Sequence, residues 1–130
     1  PRVVMGLSAG AMVLPTVVAR QPEAFDAAVL IAGGVDYISI ALRSSYAGWV
    51  DALRFVWLGA APTAEQRREA IALYRSTSPL DPVRTAAVLR ALPTLMIHAR
   101  SDTAVPADLG DELWELAGRP ERWTFAGGHE

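Results

Sequence analysis

One serine near the start of the chain has neighbours that favour a nucleophile. It lies in the run Gly6-Leu7-Ser8-Ala9-Gly10, which follows three apolar residues and precedes a helix-like segment. A strand that turns abruptly into a helix holds the turn residue in a strained backbone conformation, with its side chain clear of the sheet. This context predicts a strand, turn and helix with the Ser8 hydroxyl exposed for attack on a carbonyl carbon.

The residues that flank Ser8 fit the same chemistry. Strand and helix pass too closely at such a turn for large side chains, and Gly6 and Gly10 meet that need. Ala9 follows the serine directly, so its N–H lies at the start of the helix. We therefore expect the Ala9 N–H to bind the negative oxygen that develops during acyl transfer.

Two further residues supply what a serine nucleophile lacks. Asp102 follows the apolar segment Thr94 to Ala99, and His129 follows Arg122 to Phe125. Serine needs a base, histidine can accept its proton near neutral pH, and a carboxylate fixes the histidine tautomer. If these segments are parallel strands, Ser8, Asp102 and His129 all lie at the carboxyl edge of one sheet, where functional groups collect.

The chain contains a second histidine that could act as the base. His98 lies at a strand end, only four residues before Asp102. Position alone leaves both histidines as candidates. The family resemblance described below places the base after the last strand, and on that ground we interpret His98 as structural and His129 as the base.

Other acidic residues compete with Asp102. Asp36 follows the second predicted strand and is the main alternative acid, although Asp102 has the better local pattern. Asp108 and Asp111 fall in a predicted helix, where early acids favour the helix dipole, and we interpret both as solvated. Glu130, beside His129, is given no role.

Composition excludes several other classes of chemistry. The 130 residues are 52% hydrophobic and carry a net charge of −2, which fits one domain with a core and gives no basic surface for nucleic acid. All basic residues except the histidines are arginines, so a Schiff-base or P-loop lysine is excluded. With no cysteine and two histidines, neither a thiolate nor a histidine-rich metal site is expected. No apolar run reaches the length of a membrane span.

Periodicity and turn residues predict alternating strands and helices. The predicted strands cover 2–5, 25–32, 94–99 and 122–125. The predicted helices cover 9–20, 63–77, 82–92 and 106–118, with one or two more within 37–58. This order predicts an α/β fold with a mostly parallel sheet and flanking helices. Thr63 and Gln66 have capping-box spacing, and Asp81-Pro82 is typical of a helix start.

The central segment differs in character from the rest. Residues 36–78 are rich in aromatic side chains and read as amphipathic helices, with Trp49, Phe55 and Trp57 among them. We expect a helical, cap-like insertion that closes over the serine, with residues 1–35 and 79–130 forming the core. Simple packing is the alternative explanation for the aromatic residues.

In these motifs the chain resembles the α/β-hydrolase superfamily. Gly6-Leu7-Ser8-Ala9-Gly10 is similar to its nucleophile elbow, and Gly127-Gly128-His129 to its histidine loop. His98-x-x-x-Asp102-x-x-Val105-Pro106 is similar to the loop that carries its acid. The layout is shared by dienelactone-hydrolase-like, serine-aminopeptidase-like and acetyl-esterase-like members, which these residues do not separate.

The resemblance covers only the second half of that fold. The family's first strands, the loop with the other oxyanion N–H and the last helix have no counterpart here. We therefore expect a fragment of a larger enzyme that is poorly active by itself, with the true N-terminus upstream of Pro1 and a cytoplasmic location.

The resemblance implies a serine hydrolase with the catalytic residues Ser8, Asp102 and His129 and the oxyanion N–H of Ala9. It implies cleavage of a carboxylic ester, thioester or amide in a small acyl substrate through an acyl-enzyme, with neither metal nor organic cofactor. Two alternatives stay open: an acyltransferase or peptidase with the same triad, and a non-catalytic binding module that keeps the fold.

Overall fold

A computed structural model describes residues 1–46 and 58–129. The strands are β1 (Val3–Leu7), β2 (Ala27–Ile31), β3 (Thr94–Ala99) and β4 (Glu121–Phe125). The helices are α1 (Ala9–Arg20), α2 (Tyr37–Arg43), α3 (Ala64–Thr77), α4 (Pro82–Thr85) and α5 (Ala107–Leu116), with 3₁₀ helices at Pro22–Ala24 and Ala86–Ala91. The α/β fold predicted from the sequence is confirmed.

The four strands form one parallel sheet in the order β1-β2-β3-β4. Leu7 pairs with Ile31, and Ile31 pairs with Ile97, which is level with Trp123 of β4. The carboxyl ends of all four strands therefore lie along one edge. Every loop that leaves this edge, including the turn at Ser8, can contribute side chains to a common site.

Helices pack on one face of the sheet and form the core there. The buried cluster contains inward residues of the strands together with apolar residues of α1 and α5, among them Leu14, Leu30, Met96 and Leu113. On the other face, within the described residues, the alternate side chains of β1 are open to solvent: Val3, Met5 and Leu7 are more than half exposed. This alternation is the period-2 pattern of a strand covered on one side.

Local signals explain where several helices begin. Thr63 and Gln66 form the predicted capping box at the start of α3. Asp81 accepts a hydrogen bond from the Val83 N–H, with Pro82 at the first helical position, also as predicted. Pro15 is accommodated inside the continuous helix α1, where it is buried.

One predicted helix was wrong in its type. The α-helix expected from Pro82 to the residue before Pro93 is one α-helical turn followed by the 3₁₀ helix Ala86–Ala91. Helix α2 begins at Tyr37, where the first of the one or two helices expected within 37–58 was placed, and it ends at Arg43, before the extended backbone of Ser44. Residues 47–57, which include Trp49, Phe55 and Trp57, lie outside the described residues.

Candidate active site

The turn after β1 holds Ser8 in a strained backbone conformation. Ser8 has φ 52° and ψ −117°, a region that residues with a side chain rarely adopt. Its N–H donates to the carbonyl oxygen of Ile31 at 2.8 Å, and its own carbonyl accepts from the Met12 N–H at 3.2 Å. These two bonds tie the turn to β2 and to α1, and so hold the strained residue in place.

Glycine is required on one side of this turn. A Cβ atom built on Gly6 would lie 2.5 Å from the carbonyl oxygen of Gly10, which is rigid backbone of α1. Within residues 1–46 and 58–129, a Cβ on Gly10 would meet no atom within 4 Å, so the expectation that both flanking positions need small residues is wrong for Gly10 in this part of the chain. Of the two glycines, Gly6 is the one that the close contact between β1 and α1 requires.

Ala9 carries the first N–H group of α1. Ala9 is the first residue of α1, so its N–H has no partner within the helix and points toward the amino end, where the helix dipole is positive. It is adjacent to the Ser8 side chain along the chain. This position fits a donor to an oxyanion formed on a carbonyl that Ser8 attacks.

Asp102 is buried in the loop between β3 and α5, with 4% of its surface exposed. One carboxylate oxygen, Oδ1, accepts from the N–H groups of Ala104 at 2.9 Å and Val105 at 2.8 Å. The other, Oδ2, lies 2.8 Å from Nδ1 of His129. Two backbone donors therefore fix the orientation of the carboxylate and direct Oδ2 toward the histidine.

His129 connects the acid to the serine. Its Nε2 lies 2.8 Å from Ser8 Oγ, while its Nδ1 lies 2.8 Å from Asp102 Oδ2. The histidine loop is held to the acid loop by the Ser101 N–H, which donates to the Gly127 carbonyl at 3.1 Å. The structure thus brings Ser8, His129 and Asp102 into one chain of hydrogen bonds across 121 residues of sequence.

The competing residues occupy different places. His98 is buried at 3% exposure beside Asp102, and burial lowers its pKa below the ordinary histidine value. Asp36 caps α2, where its carboxylate accepts from Ser39 and pairs with Arg75. Neither carries the hydrogen bonds that join His129 to Ser8.

The two acids interpreted as solvated have more defined surroundings than expected. Asp108 is exposed, but Arg43 of α2 donates to both of its oxygens, at 2.8 and 2.7 Å, and these hydrogen bonds lower the pKa of Asp108. Asp111 pairs with Arg122 at 2.7 Å. Each acid faces an arginine that is distant in sequence, which a helix-dipole argument does not predict.

Tyr46 is a site residue whose role the sequence did not reveal. Its ring meets the His129 ring edge-on, with centroids 5.7 Å apart and planes at 89°. Ser45, its neighbour, donates its N–H to the Thr103 carbonyl at 2.8 Å. This part of the predicted insertion therefore contacts both the acid loop and the histidine, while the extent of a cap over 36–78 stays a prediction.

Asp81 does more than cap a helix. Besides the Val83 N–H, it accepts from the N–H groups of Asp36 at 3.0 Å and Tyr37 at 2.9 Å, and from the Tyr74 hydroxyl at 2.8 Å. Burial, with this nearby carboxylate, raises the pKa of Tyr74 to about 12. Asp81 therefore joins α2 and α3 to the core. Its multiple partners could not be inferred from the Asp-Pro pair alone.

The described part of the chain holds neither a cluster of metal-binding side chains nor a membrane-spanning helix. Across residues 1–46 and 58–129, no three acidic or histidine side chains are grouped closely enough to bind a metal ion. No helix in the same ranges combines the length and apolarity needed to cross a bilayer.

A parallel sheet whose first strand turns sharply at a serine, with an aspartate and a histidine after later strands, defines an α/β-hydrolase. Solved structures share this fold. An acylaminoacyl peptidase from Pyrococcus horikoshii matches 98% of this chain with 14% identity and a TM-score of 0.62. A puromycin-hydrolyzing peptidase from Mycobacterium tuberculosis matches 98% with 22% identity and a TM-score of 0.64. The thioesterase domain from the curacin biosynthetic pathway matches 99% with 14% identity and a TM-score of 0.54.

The sequence also identifies a family within that class. The model of the prolyl oligopeptidase family matches residues 2–115, and the chain belongs to this family. The match includes Ser8 and Asp102 and ends before His129. No curated protein matches the sequence. The chain spans only 19% and 18% of the lengths of the two peptidases above.

Proposed function

We propose that this chain carries the catalytic residues of a serine hydrolase that cleaves acyl bonds by way of an acyl-enzyme. The observation that supports it is the pair of 2.8 Å contacts of His129, one to Ser8 Oγ and one to Asp102 Oδ2. A serine hydroxyl is a weak nucleophile until a base removes its proton. Here the base is already within hydrogen-bond reach, and its tautomer is set by a buried carboxylate.

The first half of the reaction forms the acyl-enzyme. Ser8 Oγ attacks the substrate carbonyl while His129 Nε2 takes the serine proton. The carbonyl oxygen becomes an oxyanion, which accepts a hydrogen bond from the Ala9 N–H. Asp102 stabilises the imidazolium through Nδ1. His129 then gives its proton to the leaving alcohol, thiol or amine as the bond to the carbonyl carbon breaks.

The second half releases the acid. Water takes the place of the leaving group, and His129 removes its proton as the water oxygen attacks the acyl carbon. When this tetrahedral intermediate collapses, the proton returns to Ser8 Oγ and the carboxylic acid leaves. Each proton moves between Ser8, His129 and the substrate, so the cycle needs no metal or organic cofactor.

Membership in the prolyl oligopeptidase family favours a peptide or acylated amino acid as substrate over a simple ester. Two of the similar structures are described as peptidases. A peptidase with this triad also hydrolyses activated esters, because both bonds pass through the same acyl-enzyme. Cleavage of an activated ester therefore reports formation and hydrolysis of the acyl-enzyme, whereas the preferred substrate depends on the residues that bind it.

A fluorophosphonate probe tests this proposal in the full-length protein. We expect labelling of the wild type, complete loss in Ser8→Ala, and no change in Ser101→Ala, which removes an exposed serine of the acid loop. Hydrolysis of a p-nitrophenyl ester and of an N-acyl aminoacyl p-nitroanilide should disappear in Ser8→Ala and persist in Ser101→Ala. Labelling that survives in Ser8→Ala would refute the assignment. Turnover of the ester without the anilide would exclude the peptidase form.

A further inference from the structure

A second histidine faces the same carboxylate oxygen that binds His129. His98 Nε2 lies 4.0 Å from Asp102 Oδ2, whereas His129 Nδ1 lies 2.8 Å from it. A distance of 4.0 Å is too long for a hydrogen bond. Among the described residues His98 Nε2 has no hydrogen-bond partner, although it is buried. Asp102 Oδ2 therefore has one bonded histidine and one unbonded histidine within reach.

Helix α5 restricts the position of the His98 ring. Gly110 of α5 packs against the ring: a Cβ there would lie 2.5 Å from His98 Cε1 and 3.0 Å from Nε2. The imidazole thus occupies the space between α5 and Asp102, and only a glycine leaves room for it. Such a fit is more specific than apolar filling, for which a leucine or methionine would serve.

The charged and titratable groups around His98 lie on the acid loop, α5, β4 and the histidine loop. Asp102 and Asp111 favour its protonation, whereas Arg122 of β4 and His129 oppose it, and burial opposes it most strongly. The pKa of His98 is therefore below its ordinary value. At neutral pH the His98 ring is uncharged, so it does not compete with His129 for the Asp102 carboxylate.

We propose, on the basis of the serine-hydrolase function proposed above, that His98 is a positioning residue for Asp102. As a neutral ring it lies beside the carboxylate and does not compete with His129 for Oδ2. As an imidazolium it would attract Oδ2 and donate Nε2–H to it, drawing the carboxylate away from His129 Nδ1. Protonation of His98 would then weaken the orientation of the base.

The proposal predicts that protonation of His98 adds a loss of activity on the acid side of the pH profile. As the pH falls, kcat/KM should decrease more steeply in the wild type than in His98→Gln, which keeps a polar side chain that does not titrate. The additional decrease in the wild type should approach about tenfold per pH unit at the acid end, as expected for one further proton-dependent step.

The experiment measures kcat and kcat/KM from pH 4 to 8 on an activated ester, with the full-length protein diluted from neutral stock into each buffer. Met96→Leu, on the same face of β3, is the matched control for a change in core packing and should retain the wild-type profile. Gly110→Ala keeps His98 but displaces its ring, because the added Cβ would lie 2.5 Å from Cε1. It should lower kcat by about tenfold or more at constant KM, since a small misplacement of catalytic groups is costly.

The outcomes separate this inference from the proposed function. Identical acid limbs in the wild type and His98→Gln would overturn the role of His98. If His98→Gln does not fold, Gly110→Ala decides, and a kcat equal to that of Met96→Leu would overturn it. Failure of the wild type to react with a fluorophosphonate would instead refute the serine-hydrolase function itself.

Discussion

Replacement of Asp102 by asparagine tests the proposed triad most directly. The two backbone N–H groups of Ala104 and Val105 both donate to Asp102 Oδ1. In Asp102→Asn they would select the amide orientation that places the carbonyl oxygen there, because an NH₂ group cannot accept hydrogen bonds. The NH₂ group would then occupy the place of Oδ2 and face His129.

That amide orientation changes the tautomer of His129. An NH₂ donor opposite Nδ1 favours the tautomer in which Nδ1 accepts and the proton is on Nε2, the nitrogen that faces Ser8. The base is then blocked before the reaction starts. The same change in other serine triads lowers kcat by about 10⁴, which corresponds to about 5 kcal/mol in activation free energy.

The assay compares kcat and the second-order rate of fluorophosphonate labelling for the wild type, Asp102→Asn and two control variants. Asp108→Asn removes an exposed acid that pairs with Arg43, and such surface pairs contribute about 0–1 kcal/mol, so its activity should stay near wild type. Asp36→Asn tests the alternative acid. It should lower the unfolding temperature but change kcat little.

Thermal unfolding separates the two effects. Asp102→Asn should unfold cooperatively and remain folded at the assay temperature, since only one oxygen is exchanged for nitrogen. A folded Asp102→Asn variant with kcat within tenfold of wild type would refute the tautomer argument. A folded Asp36→Asn variant with the larger loss would move the acid to the loop after β2.

Two further changes probe how the site is held. Gly6→Ala should abolish fluorophosphonate labelling of Ser8 or prevent folding, because the added Cβ would lie 2.5 Å from a backbone oxygen. Gly10→Ala should be labelled at the wild-type rate. Equal labelling of the two variants would show that close packing of the turn is unimportant. Tyr46→Ala should lower kcat/KM several-fold, because it removes the ring that packs against His129. Tyr46→Phe keeps the ring and should retain activity. Wild-type rates in Tyr46→Ala would show that this contact does not contribute to catalysis.

The features predictable from the sequence were those encoded in short segments. Apolar runs separated by helical segments specify parallel strands, and parallel strands bring their following loops to one edge. Ser8, Asp102 and His129 could be placed together in this way without knowledge of any distance. The Thr63 capping box and the Asp81 helix start were likewise local, since donor and acceptor lie within three residues of each other.

The features that could not be predicted depend on contacts between distant segments. Asp81 accepts from Asp36 and Tyr37, more than 40 residues away, and the Tyr46 ring reaches His129 across most of the chain. Nothing in the composition of either partner specifies such a meeting. The 3₁₀ helix at Ala86–Ala91 was also missed, because its residues suit an α-helix equally well and packing decides between the two.

The backbone of Ser8 has a consequence for how this protein can change. A residue with a side chain at φ 52° carries a cost of about 1–3 kcal/mol, against a total stability of about 5–15 kcal/mol for a typical domain. Glycine at this position would relieve that cost and remove the hydroxyl in the same step. Selection for thermal robustness alone would therefore drive the chain toward an inert scaffold. Efforts to stabilise the protein should leave this turn unaltered and look for gains in positions remote from the catalytic edge.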